Sequence, residues 1–397
     1  MALLNKAAAA GSSGRAHVYH IDEDHSPAHA GMTEIVSQTS RYLASQDWPT
    51  TIVTAGPGSM PVADGVELVK FPLSTWGKRW RYPQGMKAYL DQVMRIPGSV
   101  FHIHGTWGAP QLLTAQAAKR HRAPALLTAH GLLEPWNWHF GIMRWLRYNV
   151  YWRTLGYPAF RHLAVIHCNT IPERDNLAQL FPGQRLEIIP NAIDLTKVDN
   201  CLASRESEPG PSAKEPYILY LGQLHPKKGI DILIEAFAQA VKGRDFRLLI
   251  VGPSPFPDYT EQLQALVARL NLSSRVSFPG PVYASQKWQV YRDAWAFCLP
   301  SRSEGMSMVC LEAAAAATPV ITTYEANIEE WRDSGAIIIH PRVEELASVL
   351  DQVLSWSEAE RHQRGGQLRH LVERCFSWEA VGPQWLSLYL ELAENYG

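Results

Sequence analysis

YILYLGQLHPKKGIDILIEAFAQAVKGRDFRLLIV, residues 217–251, sets two short apolar runs on either side of an amphipathic segment. YILYL and RLLIV read as strands buried on both faces, and Ile230 to Val241 reads as a helix, so the unit predicts parallel neighbours joined by a helical crossover. The alternation continues downstream as Tyr259 to Leu270, RVSFP, Ser285 to Ala294, WAFCL, Ser307 to Ala317 and PVIT. Upstream it runs AHVYHI, Gly31 to Gln46, TIVTA, SVFHI, Gly108 to His121, ALLTA, LAVIHC and Pro172 to Leu180. Strands alternating with helices over both halves predict an α/β protein with two Rossmann-like, doubly wound domains facing across a crevice. CLASRESEPGPSAKEP, 201–216, is polar, rich in Pro, Ser and Glu, and without packing periodicity. We therefore expect an N-terminal domain over 16–200, a linker at 201–215, a C-terminal domain over 216–375 and a closing segment at 376–397. MALLNKAAAAGSSGR at the start reads as a disordered tail, 1–15.

Length and charge narrow the function. A chain of 397 residues supports two ordinary cores, and 37 basic against 38 acidic residues leave no overall field for nonspecific nucleic-acid binding. Nucleic acid is not an expected partner. The five cysteines, Cys168, Cys201, Cys298, Cys310 and Cys375, lack paired or CxxC spacing, which fits a reducing cytoplasm rather than a disulfide framework or zinc site. No stretch approaches the apolar length of a membrane span. His102 and His104 share one face of their strand and could suggest a metal pair, but no third ligand is evident, so both are read as crevice wall. DED at 22–24 reads as a polar loop, and GPG at 56–58 leads into strand-like GVELVKF instead of the helix that a dinucleotide fingerprint requires.

Ligands of open α/β sheets bind beyond the strands' carboxyl ends, so chemistry is sought in the loops after strands. Five motifs, four of them at such loops and one a helix, carry a common resemblance. SRSEGMSMVCLEAAAAATPV, 301–320, contains Glu304 and Glu312 in E-x7-E spacing; with YLGQLHPKKGIDILIEAF, IIPNAID, TAHGLLEPW and FSWEAVGPQWLSLYLEL, it resembles the retaining glycosyltransferases of family 4, which have the GT-B fold. The matches run in order from about residue 17 to 394. The resemblance implies transfer of a hexose from a UDP- or GDP-sugar to a saccharide or lipid-linked saccharide acceptor, of the kind used in bacterial surface-polysaccharide synthesis. It implies no metal and no cofactor beyond the nucleotide sugar, a first domain for acceptor, a second for donor, and a last helix that crosses back to the first domain.

The resemblance also assigns residues. Glu304 would lie beside the transferred sugar and Glu312 would bind the ribose hydroxyls, a task suited to a carboxylate's acceptor pairs. The amides of Gly305, Met306 and Ser307 open a helix, and such N-termini hold phosphate well. Lys228, after strand YILYL, would reach the diphosphate with Gly222 and Gln223, and Val282 completes the donor set. His130 would meet the transferred sugar or its developing charge, with His104 and Trp136 beside the acceptor; His130, Lys228 and Glu304 form the expected catalytic set. Gly31 would open the first helix beneath the donor in a conformation closed to other residues. Three positions depart from the pattern: Gln223 stands where an arginine is usual, and Ala30 and Ala192 stand for glycines. A glutamine offers an uncharged donor in place of a charged fork. Ala192 must make its turn without a positive φ or tolerate strain.

WNWHFGIMRWLRYNVYWRTLGYPAFR, Trp136 to Arg161, mixes aromatics with arginines, and WGKRWRYP at 76–83 has the same character. The pattern suits peripheral contact with the inner face of a membrane, and equally an amphipathic helix packed on its own domain. Two rival functions share this architecture. A noncatalytic nucleotide-sugar-binding subunit would bind donor without consuming it; a nucleotide-sugar epimerase would need a pair of proton-transferring carboxylates that the sequence does not place.

Overall fold

The computed structural model describes residues 15–26, 30–56, 58–74, 82–138, 142–204 and 215–395. Two compact units emerge, Met1–Asn191 with Val381–Gly397, and Ala192–Ala380. The first carries seven strands: β1 (His17–Asp22), β2 (Thr50–Ala55), β3 (Val66–Phe71), β4 (Ser99–His104), β5 (Ala125–Thr128), β6 (Val165–Cys168) and β7 (Leu186–Ile188). They lie parallel in the order β3-β2-β1-β4-β5-β6-β7. The order reverses between β1 and β4, whose register sets His20 against His102 and Ile21 against Ile103.

The second unit holds β8 (Tyr217–Leu221), β9 (Arg247–Val251), β10 (Val276–Gly280), β11 (Ala296–Leu299), β12 (Val320–Thr323) and β13 (Ile337–Ile339). Their order, β10-β9-β8-β11-β12-β13, is also all parallel and switches between β8 and β11. Every residue of β8, YILYL, is buried, as a central strand covered by helices on both faces requires. The helix Ile230–Ala240 turns Ile230, Leu233, Ile234 and Phe237 onto this core. Two parallel, doubly wound sheets therefore stand where the alternation placed them.

The chain passes between units earlier than composition suggested. Leu195–Ala203 is helical, capped by Asp194, and its Val198 lies with Ile193 in the second unit's core. Cys201, Leu202 and Ala203, assigned by sequence to the linker, complete that helix, and the unit boundary falls at Asn191 and Ala192. The polar run therefore follows, and does not mark, the point where the chain changes unit. The remainder of the linker, 205–214, lies outside the described residues, as do the tail over 1–14 and most of WGKRWRYP, 75–81. Arg15, counted with the tail, donates to Asp47 O at 3.2 Å.

The last helix, Trp378–Asn395, starts in the second unit, and from Val381 onward belongs to the first. Its Tyr389 hydroxyl lies 2.7 Å from His102 Nδ1, and Trp385 packs on His102 and His167 with ring centroids at 5.2 and 4.5 Å.

Candidate functional site

In the second unit, the expected donor residues gather where β8 and β11 end. The loop after β8 tightens into a turn, Pro226–Lys228, closed by Gly229 at φ 67. A β-carbon on Gly229 would stand 2.0 Å from Pro300 O, so glycine is required both for the left-handed backbone and for the approach of the two loops. That approach brings Lys228 Nζ within 2.6 Å of Glu304 Oε1. Ser301 Oγ donates to the same oxygen. Glu304 is 8% exposed. Burial alone would raise its carboxyl, but the Lys228 and Lys227 charges and the two hydrogen bonds hold it below the ordinary range.

Residues that the sequence did not single out build this arrangement. Arg302 clamps Asp231 with two bonds of 3.0 and 2.6 Å, donates to Pro226 O at 2.6 Å, and through its own amide to Lys227 O at 2.8 Å. The lysine turn is thereby fixed to the Glu304 loop. Asn327, itself at φ 59, donates to the carbonyls of Glu304 and Gly305 at 2.7 and 3.2 Å. The helix behind this loop is Met308–Ala315 with Ser307 at its N-cap, and Gly305, Met306 and Ser307 are buried in front of it. Glu312, on the second turn, receives Lys287 Nζ on one oxygen at 2.7 Å and the Tyr291 hydroxyl on the other at 3.0 Å. Lys287 is thus the counter-charge of Glu312. Val282 sits half-buried after β10, Gly222 ends β8, and Gln223 is exposed, its carbonyl accepting from the Tyr220 hydroxyl at 2.9 Å. The result is two carboxylates, each matched to a lysine, at the switch point of one sheet.

The first unit's candidates are less uniform. His130 follows β5 at φ 53 and is half-buried, with Nε2 2.9 Å from His104 Nδ1. His104 is corrected. It is 1% exposed, and its other nitrogen lies 2.9 Å from His20 Nδ1, so it stands behind His130 instead of facing an acceptor. His102 likewise belongs to the interior, between the hydroxyls of Tyr389 and Thr128 at 2.7 and 2.6 Å, the latter shared with His167 at 2.8 Å. A third histidine does join the pair: His20, His102 and His104 each bring a nitrogen within 4.8 Å of the others. Sequence spacing could not find it because β1 delivers it through sheet register. Burial drives His20 and His130 down to about 3 and His167 to about 4, so these rings are neutral.

Three smaller readings also change. Gly31 is the second residue of the helix Ala30–Ser45, lacks a positive φ, and has open space around a would-be β-carbon, so no backbone demand explains the glycine. Asp22 and Asp24 are buried instead of forming a solvated loop, with Asp22 Oδ2 3.0 Å from His25 Nδ1. Ala192 is buried and makes its turn without a positive φ. Trp136 lies half-buried in the short helix Pro135–Trp138. Beyond it the helix Ile142–Tyr151 buries Tyr151, while Ile142, Met143, Trp145, Leu146 and Val150 are exposed, the first two by 81% and 76%.

Comparison with known proteins places the chain among glycosyltransferases. The family profile described as Glycosyltransferase Family 4 matches residues 30–197, and that described as Glycosyl transferases group 1 matches 204–367. A D-inositol 3-phosphate glycosyltransferase of Nocardia farcinica is 31% identical over 239 residues, 57% of this chain and 51% of the relative. An uncharacterized glycosyltransferase of Methanocaldococcus jannaschii is 27% identical over 235 residues, 56% and 59% of the two chains. The chain thus spans about half the length of the curated relatives it matches. Among solved structures, a sucrose-phosphate synthase from Thermosynechococcus elongatus superposes with TM-score 0.73 at 20% identity, covering 96% of this chain and 100% of that one. Anabaena HepE in complex with UDP and glucose gives 0.71 at 17%, covering 94% and 99%. These likenesses establish the GT-B fold.

Proposed function

Because the chain belongs to glycosyltransferase family 4, we propose that it moves a hexose from a UDP- or GDP-sugar to a saccharide or lipid-linked saccharide acceptor, with retention of configuration. The observation that carries the reading is the pair of lysine-matched carboxylates beside the N-terminus of Met308–Ala315, at the switch point between β8 and β11. A nucleoside diphosphate presents a ribose diol and a dianionic bridge, and the site offers a carboxylate for the first and an ammonium with helix amides for the second. In the proposed reaction the bond from the anomeric carbon to the diphosphate oxygen breaks, and the acceptor hydroxyl oxygen bonds to that carbon on the same face. The hydroxyl proton passes to the departing diphosphate. Lys228 and the amides at Gly305 to Ser307 stabilise the charge that develops there, with exposed Gln223 able to reorient toward it. His130 donates to the sugar.

The aromatic helix supports a lipid-linked acceptor. Ile142, Leu146 and Val150 fall four residues apart on one solvent-facing stripe, with Met143 beside them and exposed Arg147 and Arg153 at its margins. Such a face suits the surface of an anionic bilayer. No helix among the described residues is long and apolar enough to cross a membrane.

The test is donor turnover. Purified protein is screened for thermal stabilisation by UDP- and GDP-sugars beside Lys228→Ala, then assayed for donor consumption with saccharide, lipid-linked and inositol 3-phosphate acceptors. Stabilisation by one nucleotide series, lost in the variant, with acceptor-dependent release of nucleotide, is the expected result. Binding without consumption under every acceptor would favour the noncatalytic subunit instead.

A further inference from the structure

We infer that His20, His104 and His130 form one hydrogen-bonded chain that fixes His130 with its proton on Nδ1, making His104 and His20 positioning residues for a donor aimed at bound substrate. The inference rests on the transfer reading only for what His130 touches.

The three rings form an edge-to-edge row that runs from His20 within β1 through His104 at the end of β4 to His130 just after β5. His20 and His104 have centroids 5.2 Å apart and planes 29° apart; His104 and His130 repeat the arrangement at 5.2 Å and 21°. Successive left-handed residues, His130 at φ 53 and Gly131 at φ 69, fold the loop after β5 so that the His130 ring meets His104. A residue with a β-carbon is held there against its backbone preference, a common mark of a positioned side chain. The two links, Nδ1 of His20 to Nε2 of His104 and Nδ1 of His104 to Nε2 of His130, are each 2.9 Å.

A neutral imidazole carries one proton, so the chain has two arrangements. Protons directed inward leave an N–H on His20 Nε2 and a lone pair on His130 Nδ1. Protons directed outward leave a lone pair on His20 Nε2 and an N–H on His130 Nδ1. Both terminal atoms are buried and have no hydrogen-bond partner among the described residues. An orphaned buried N–H is rarer and costlier than an unused acceptor lone pair. His20 is wholly buried within the sheet; His130 Nδ1 is buried as well, but it belongs to a residue that is partly exposed on the loop after β5. The outward arrangement puts the spare N–H at the loop end of the chain, where a shift of the loop after β5 on substrate binding would bring a sugar oxygen to it. Reading the cluster as a metal site uses the atoms less well. Both nitrogens of His102 already meet hydroxyls, and both of His104 meet other imidazoles, so coordination would break bonds that the chain keeps.

The experiment reads the tautomer directly, by long-range proton–nitrogen correlation on the full chain labelled with 15N-histidine, His130 being assigned by its loss in His130→Gln. The wild type is expected to carry the His130 proton on Nδ1. His20→Gln keeps a side-chain N–H for His104 and preserves that state. His20→Phe fills the space without a nitrogen and shifts His130 toward the Nε2 tautomer; His20→Leu gives the same comparison if the phenylalanine variant does not fold. The kcat/KM for transfer falls about tenfold in His20→Phe and under about threefold in His20→Gln, the range of one neutral hydrogen bond. A wild-type His130 protonated on Nε2 overturns the inference, as does an unchanged tautomer in both apolar variants, or tightly held zinc that His20→Gln releases. A protein that turns over no donor yet shows the His20-dependent tautomer would refute the transfer reading and leave the chain standing.

Discussion

Replacing Lys228 with methionine removes the ammonium 2.6 Å from Glu304 and leaves the carboxylate behind. Breaking a buried ion pair from one side costs about 3–5 kcal/mol. Lys228 keeps 21% of its side-chain exposure, and the Ser301 hydroxyl and Lys227 charge remain, so the loss near neutral pH is expected at about 2–3 kcal/mol. The pH dependence separates this mechanism from lost packing. In the wild type the Glu304 carboxyl is held below its unfolded value, so its contribution is complete above the ordinary carboxylate range and is lost as pH falls through the depressed value. In Lys228→Met, burial meets weaker opposition, and the carboxyl moves up. The variant then regains stability relative to wild type as acidification protonates Glu304. Urea unfolding near about pH 7.5 and about pH 5 should show the penalty shrinking at the lower pH, and Lys228→Met/Glu304→Gln should recover most of it near neutrality. An equal penalty at both pH values, with no recovery in the double variant, would refute the reasoning.

Other outcomes follow from the same geometry. Gly229→Ala forces a β-carbon against Pro300 O at φ 67 and should cost at least about 2 kcal/mol in the second unit, measured by denaturant midpoint. Tyr389→Phe removes the hydroxyl partner of His102 Nδ1, leaving the Thr128 hydroxyl at Nε2, and should cost about 1–3 kcal/mol, read as earlier unfolding of the first unit. Tyr291→Phe removes one bond to Glu312 without touching Lys287, and should weaken nucleotide affinity about tenfold or less by calorimetric titration. Ile142→Ser/Leu146→Ser should abolish cosedimentation with anionic vesicles while shifting stability by no more than about 0.5 kcal/mol, because both side chains are already in water.

Periodicity made the sheets legible because buried parallel strands are written as continuous apolar runs, YILYL and RLLIV among them. The unit boundary was not legible in the same way. The chain changes unit within IIPNAID, a stretch with apolar residues on both sides, and the conspicuous polar run comes only after Val198 has joined the second core. Lys228, Glu304 and Glu312 lie on recognisable loops, so their positions could be read, but Arg302 could not: its partner Asp231 is 71 residues away, and neither residue signals the other. The histidine cluster failed for a related reason. A period of two reveals which residues share a strand's face, but not which neighbouring strand will supply the next ring, and His20 arrives only through the pairing of β1 with β4.

The final helix sets an order on biosynthesis. Most of the first unit precedes the second in the chain, yet Tyr389 and Trp385 pack on its His102 and His167, and these two follow the whole of the second unit. Synthesis therefore completes the second unit while the first still waits for part of its interior. A nascent chain stalled before Val381 would carry a finished second unit and an unfinished first, the half that a quality-control protease would attack.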